Sequence, residues 1–143
     1  MYQFTVNIRV RYAETDQMGY CYYGNYAQYF EVARVETLRS LGVSYKDLEN
    51  SGILLPVSEY NIKYILPALY DEQLSINCAI KEITEFKIKF DYKTHNEEDK
   101  LLNFGSTTLV FVDKQTKKPV NCPSAIKSKL KNQSWKLNFL YQL

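Results

Sequence analysis

The 143-residue chain reads as an α+β domain in which one long helix is wrapped by an antiparallel sheet of about five strands. Three observations predict this. One stretch, Tyr26 to Leu41, carries apolar residues at three- and four-residue steps, the repeat of a helix with one buried face. Most of the remaining chain falls into long β-rich stretches. The joins between those stretches are mostly short, which suits antiparallel neighbours. One domain spanning residues 1–143 with one core is expected at this length, and no internal repeat or low-complexity segment interrupts it.

The elements follow in order. Phe4, Val6, Ile8 and Val10 alternate with Thr5, Asn7, Arg9 and Arg11, the pattern of a half-buried strand. The helical stripe consists of Tyr26, Tyr29, Phe30, Ala33, Thr37, Leu38 and Leu41, leaving Gln28, Glu31, Glu36 and Arg39 largely off it. Asn25 is expected to cap this helix, with Gln28 three positions on completing a capping box, and Gly42 to stop it. A short helix is expected around Ser44 to Asn50. Four long strands should follow, over Leu54 to Ile65, Gln73 to Glu85, Phe86 to Asn96 and Leu101 to Asp113. In "FKIKFDYK", Phe86, Ile88, Phe90 and Tyr92 face one way and Lys87, Lys89, Asp91 and Lys93 the other. Pro123 opens a short helix in "PSAIKSKLKN".

Composition narrows the function. A net charge of +2 with the lysines dispersed over the second half argues against nucleic-acid binding. Cys21, Cys78 and Cys122 have neither disulfide nor zinc spacing, so reduced, partly buried thiols are expected and no metal site. The first residues alternate like a strand and lack the apolar core of a signal peptide, and no window approaches a membrane span; a soluble cytoplasmic protein without membrane insertion is the expectation. The 13 tyrosines exceed what a core of this size needs, so part of the aromatic surface is expected to line a pocket or an interface. No phosphate-binding glycine loop or HExxH pattern occurs. The single histidine, His95, falls in "KTHNEED", which reads as a hairpin tip, so a Ser-His-Asp or Cys-His triad would have to recruit a solvated residue.

Metal-free carboxylate chemistry remains if the protein is an enzyme. In "ETDQMGYCYYGNY", residues 14–26, Asp16 sits in the loop between the first strand and the long helix. A helix N-terminus offers unpaired N–H groups and partial positive charge. A substrate carbonyl held there would find donors for a developing oxyanion while a carboxylate attacks it or activates water. An ordinary turn carboxylate accepting backbone hydrogen bonds has the same local sequence.

The stretch "RVRYAETDQMGYCYYGNYAQYFEVARVETLRSLG", Arg9 to Gly42, resembles the N-terminal signature of the 4-hydroxybenzoyl-CoA thioesterase type of hotdog-fold acyl-CoA thioesterases. "KYILPALYDEQLSI", Lys63 to Ile76, is similar to the turn that leads out of that family's second strand. The resemblance implies a hotdog fold, hydrolysis of an acyl-CoA to free acid and CoA, no cofactor, and a homodimer or a dimer-of-dimers tetramer with active sites shared between subunits. It puts the catalytic aspartate on Asp16, as nucleophile or general base, and the backbone oxyanion donor on Tyr23. It also points to Gly19, Tyr22, Asn25, Tyr26 and Lys63 as substrate-binding positions. The chain departs from the pattern at Tyr20 and Cys21, where relatives carry small aliphatic residues, and at Tyr23, where many carry histidine.

Rival readings stay open on the sequence. Glu31 is a second acidic candidate, although its spacing to Arg34 suits a surface ion pair. Cys21 as nucleophile lacks a histidine partner. A non-catalytic acyl-CoA or acyl-carrier-protein binding module, and more remotely a dehydratase, would share the fold. The acyl group is undetermined.

Overall fold

A computed structural model describes residues 1–131. Its core is a five-stranded antiparallel sheet against which a single long helix packs. The strands are β1 (Gln3–Arg9), β3 (Val57–Tyr64), β4 (Gln73–Ile83), β5 (Lys87–His95) and β6 (Leu101–Val110), ordered β1-β4-β5-β6-β3. A small second sheet joins β2 (Ile53–Leu54) to β7 (Val112–Asp113). The helices are α1 (Asn25–Leu41), α2 (Tyr45–Asn50) and α3 (Ser124–Lys131). This is the hotdog arrangement.

The helical stripe becomes the core. Tyr26, Tyr29, Phe30, Ala33, Thr37, Leu38 and Leu41 are all buried, and Phe30 stacks on Tyr92 of β5 with centroids 4.2 Å apart and planes 2° from parallel. Leu74, Ile76, Cys78 and Ile80 of β4 and Ile88, Phe90 and Tyr92 of β5 face the helix, every second residue along each strand. Gly42 stops α1 with a left-handed φ of 96°. Ser44 caps α2 through its side chain, 3.0 Å from the Asp47 amide.

Several expected boundaries shift for local reasons. The stretch from Leu54 to Ile65 is divided at Leu55 and Pro56, since proline cannot donate to a strand ladder. The stretch from Leu101 to Asp113 is divided at Phe111, which turns fully inward while its amide bonds to the Phe86 carbonyl at 2.9 Å. Phe86 precedes β5 and is exposed rather than aligned with Ile88, and Phe4 is exposed because β1 is an edge strand that α1 covers only in part. Asn25 does not cap α1: the cap position is Gly24, and Asn25 is the first helical residue. The helix opened by Pro123 runs over Ser124–Lys131, with Ile126 and Leu130 buried; Asn132, the last residue expected in it, and the rest of residues 132–143 lie outside the described residues. Among the described residues no helix is long and apolar enough to cross a membrane.

Candidate active site

The loop between β1 and α1 is built around carbonyls and carboxylates that hold it shut. Asp16 Oδ1 accepts the Met18 and Tyr20 amides at 2.9 and 3.2 Å, and the Asp16 amide donates to the Tyr20 carbonyl at 2.8 Å. Gly19 makes the return possible, with φ of 80° and its amide on the Asp16 carbonyl at 3.0 Å. The carboxylate is thus a turn residue, as the plain reading of the sequence had it, yet only one of its oxygens is used. Among the described residues Oδ2 makes no hydrogen bond.

The helix N-terminus beside it has no side-chain cap, its Asn25 and Tyr26 amides turning back to the Tyr22 and Tyr23 carbonyls at 3.0 and 3.3 Å. Gly24 supplies no side-chain cap, and among the described residues the Tyr23 N–H reaches no acceptor. Such a terminus is a ready site for developing negative charge. Asn25 instead turns its Nδ2 to the Glu14 carbonyl at 2.7 Å, and the Tyr22 amide bonds to the same carbonyl at 2.8 Å. Glu14 thereby ties the chain just before Asp16 to the chain just before α1.

Glu14 is the functional-loop residue that sequence reasoning missed. Its side chain is buried, accepting the Arg11 amide at 2.8 Å and the Arg11 guanidinium at 3.2 Å. Burial alone would raise its pKa. The Arg11 hydrogen bonds and that of the Tyr29 hydroxyl outweigh burial and hold it below the ordinary carboxylate value. An acid two positions before a candidate nucleophile, three after an arginine, was the available signal.

Two depressions meet at Asp16. An open cleft of about 940 Å³ is framed by Tyr12, Thr15, Asp16, Gly19, Tyr22, Asn25 and Tyr70, with Tyr12 and Tyr70 edge to face at 5.4 Å. A narrower cavity of about 260 Å³ runs from Asp16 and Tyr23 past Cys21 and Tyr26 to Tyr64, Leu66 and Pro67. Asp16, Gly19, Tyr22, Tyr23, Asn25 and Tyr26 are therefore brought together. Lys63 is not: it lies on β3 between Ile62 and Tyr64, and since Tyr64 packs on Tyr26 of the helix, Lys63 points to the opposite face of the sheet.

The rival residues are placed as well. Cys21 is buried, its Sγ 3.6 Å from the Tyr29 hydroxyl, and desolvation pushes its thiol up, away from thiolate. Cys78 and Cys122 are buried too, pushed up to about 12 and about 11 by desolvation. Glu31 is exposed in a different groove with Ala27, Gln28, Val57 and Tyr60. Its contact with Arg34 is long, 3.9 Å, because the Arg34 guanidinium is buried and reaches the Tyr45 hydroxyl at 3.2 Å instead of lying on the helix surface. His95 ends β5 and lines neither depression.

A family model described as the thioesterase-like superfamily matches residues 10–130. The chain belongs to this superfamily. It is 38% identical over 113 residues to the putative acyl-CoA thioesterase YneP of Bacillus subtilis, covering 79% of this chain and 82% of that one. It is 31% identical over 124 residues to the acyl-CoA thioester hydrolase YbgC of Escherichia coli, covering 87% and 92%. Among solved structures, a DHNA-CoA thioesterase from Staphylococcus aureus superposes with a TM-score of 0.89 at 34% identity, covering 96% of this chain and 95% of that chain. The matched region takes in the whole Asp16 loop, α1 and four of the five strands of the main sheet, β3 to β6.

Proposed function

We propose that the protein is an acyl-CoA thioesterase that hydrolyses its substrate to a free acid and CoA, with Asp16 as the reacting carboxylate and the Tyr23 backbone N–H as oxyanion donor. One observation carries this reading: Asp16 and Tyr23 line the same cavity, the first with an unoccupied carboxylate oxygen and the second at an uncapped helix N-terminus. The names of the relatives support it.

In this reading the thioester carbonyl sits between the two. Asp16 Oδ2 attacks the carbonyl carbon, the C–S bond breaks to release CoA thiolate, and water then hydrolyses the resulting anhydride; or Asp16 takes a proton from a water that attacks directly and the same C–S bond breaks. On either route charge gathering on the carbonyl oxygen meets the Tyr23 N–H and the positive end of α1. Hydrogen bonds from Met18 and Tyr20 keep the carboxylate oriented, so little reorganisation accompanies the reaction. The narrow cavity suits the acyl group and the open cleft, with the Thr15, Gln17 and Asn25 side chains on its walls, suits the amides of the pantetheine arm. Among the described residues neither depression is lined by a lysine or arginine.

A homodimer, itself able to pair into a tetramer, would supply the rest of the site. Val57, Tyr60 and Tyr64 are exposed along β3, whose outer edge is unpaired among the described residues, and such an edge favours strand addition by a second copy.

Thiol release from short, long and aromatic acyl-CoAs tests the proposal, comparing the parent with Asp16→Asn. Turnover should fall by a factor of at least about 10³ in the variant, with melting temperature and oligomer size retained. Binding of CoA thioesters by a parent that releases no thiol would point instead to a non-catalytic binding module.

A further inference from the structure

The sheet closes unevenly against α1. Leu74, Ile76, Cys78 and Ile80 of β4 are fully buried, but on the edge strand β1 Phe4 is 39% exposed and Val6 and Ile8 are only half-buried. Val32 of α1 is 47% exposed. A groove of about 310 Å³ runs between the two elements, from Ile8 and Val32 to Tyr29, Arg11 and Glu14.

The backbone of β1 is open along the same length. The Ile80 amide donates to the Tyr2 carbonyl at 2.8 Å and the Val10 amide to the Glu72 carbonyl at 3.0 Å. Between these ends Phe4, Val6 and Ile8 stand opposite Cys78, Ile76 and Leu74. Bonded and non-bonded positions alternate in an antiparallel ladder, so the even-numbered residues bond to β4 and the N–H groups of Thr5, Asn7 and Arg9 point to the outer edge. Among the described residues no strand pairs with that edge. A sheet free at both edges can add copies at both without end, and proteins generally cover or blunt such edges.

The chain carries a segment suited to cover this one. In "SWKLNFLYQL", residues 134–143, the apolar or aromatic Trp135, Leu137, Phe139, Tyr141 and Leu143 alternate with Lys136, Asn138 and Gln142, and only Leu140 breaks the pattern. That is the repeat of a strand with one buried face. The segment lies outside the described residues, but its point of departure is fixed. Lys129, on the last turn of α3, lies against Gly42 at the C-terminal end of α1. The start of β1 is at the same end, where the Tyr2 hydroxyl meets Ser40 Oγ at 2.7 Å. Residues 132–134 can span about 10 Å. Residues 135–141 then match the 7 residues of β1.

We infer that residues 135–141 add to the free edge of β1 as a further strand, parallel to it because the segment leaves α3 beside the start of β1. Side-by-side residues of neighbouring strands share a face, so Trp135, Leu137, Phe139 and Tyr141 lie beside Phe4, Val6 and Ile8 and close the groove over Val32. Lys136 and Asn138 join Thr5 and Asn7 on the polar face. Two consequences follow for the molecule. The edge left for a second copy is that of β3, so pairing of sheets stops at two. The covered groove is also the one lined by Glu14, which orders the Asp16 loop.

Trp135 is the only tryptophan of the chain, so its fluorescence reports the segment directly. In the full-length protein its emission should lie to the blue of the urea-unfolded chain, with acrylamide quenching several-fold weaker. Hydrogen exchange locates the contact. The Thr5, Asn7 and Arg9 amides should exchange at least about tenfold more slowly in the parent than in the double variant Leu137→Lys, Phe139→Lys, while Val6 and Ile8 stay protected in both because they bond to β4. Val32→Lys, on the other wall of the groove, should shift the tryptophan emission to the red as the double variant does. A Trp135 as exposed as in the unfolded chain overturns the inference. So does a shielded Trp135 with no change at Thr5, Asn7 and Arg9, which would put the segment elsewhere. Protection at these amides that is lost on dilution to monomer overturns it too, since a second copy would then be covering the edge.

Discussion

At the scale of single residues, the loop is a case of one carboxylate holding another in place. Glu14 is ionised more readily in the folded protein than in an unfolded chain, so its contribution to stability is present above its ordinary value near 4.5 and is lost as pH falls through its lower folded value. Urea unfolding of the parent from pH 6 downward should show this acid-side loss, and Glu14→Gln should flatten it while lowering kcat more than it changes KM. An unchanged slope in the variant would mean that Glu14 does not carry that titration. Gly19 poses a simpler question. An added Cβ would meet nothing within 4 Å, so Gly19→Ala isolates the backbone cost of φ at 80°, about 1 kcal/mol, readable as a shift in urea midpoint. Asp16 and Gly19 were legible as a motif. Glu14 was not, because whether a carboxylate in a loop is buried depends on Arg11 and Tyr29 folding over it.

At the scale of elements, α1 shows how far periodicity reaches. Its stripe named the buried face correctly, since a helix in contact with a sheet must present a repeat of 3.6 residues. Phe30 is the centre of that contact, and Phe30→Ala should cost about 3–5 kcal/mol in chemical unfolding. Capping was misread for an informative reason: Asn25 has the right chemistry for a cap, but it is the first helical residue and its amide is held by the Glu14 carbonyl, leaving the terminus without a side-chain cap. The attachment of β3 depends on a small residue across from it. A Cβ on Gly105 would collide with the Asn61 carbonyl oxygen and approach the Ile62 Cα to 3.1 Å. Gly105→Ala should therefore destabilise by about 1–3 kcal/mol and loosen β3, seen as faster amide exchange at residues 57–64 than in the rest of the sheet.

At the scale of the whole molecule, the same edge strand links fold to assembly. If β3 edges pair, a charged substitution such as Tyr60→Lys should shift sedimentation toward the monomer and lower thioesterase activity together, because the exposed inner face of β3 adjoins the cavity that ends at Tyr64. The helical stripe and the alternating strands were enough to foresee an α+β domain with one helix face and one sheet face buried together, since each periodicity is a local property of the chain. The Asp16 loop was legible for a similar reason, its turn chemistry being contained in a few consecutive residues. Which tyrosines line a cavity, that Lys63 turns away from it, and that the buried Thr94 and Asn103 stand opposite each other on β5 and β6 were decided only by tertiary structure. Those outcomes depend on strand order and register, which bring residues 26, 64, 94 and 103 together from four separate elements, and a spacing pattern along the chain carries no record of that meeting.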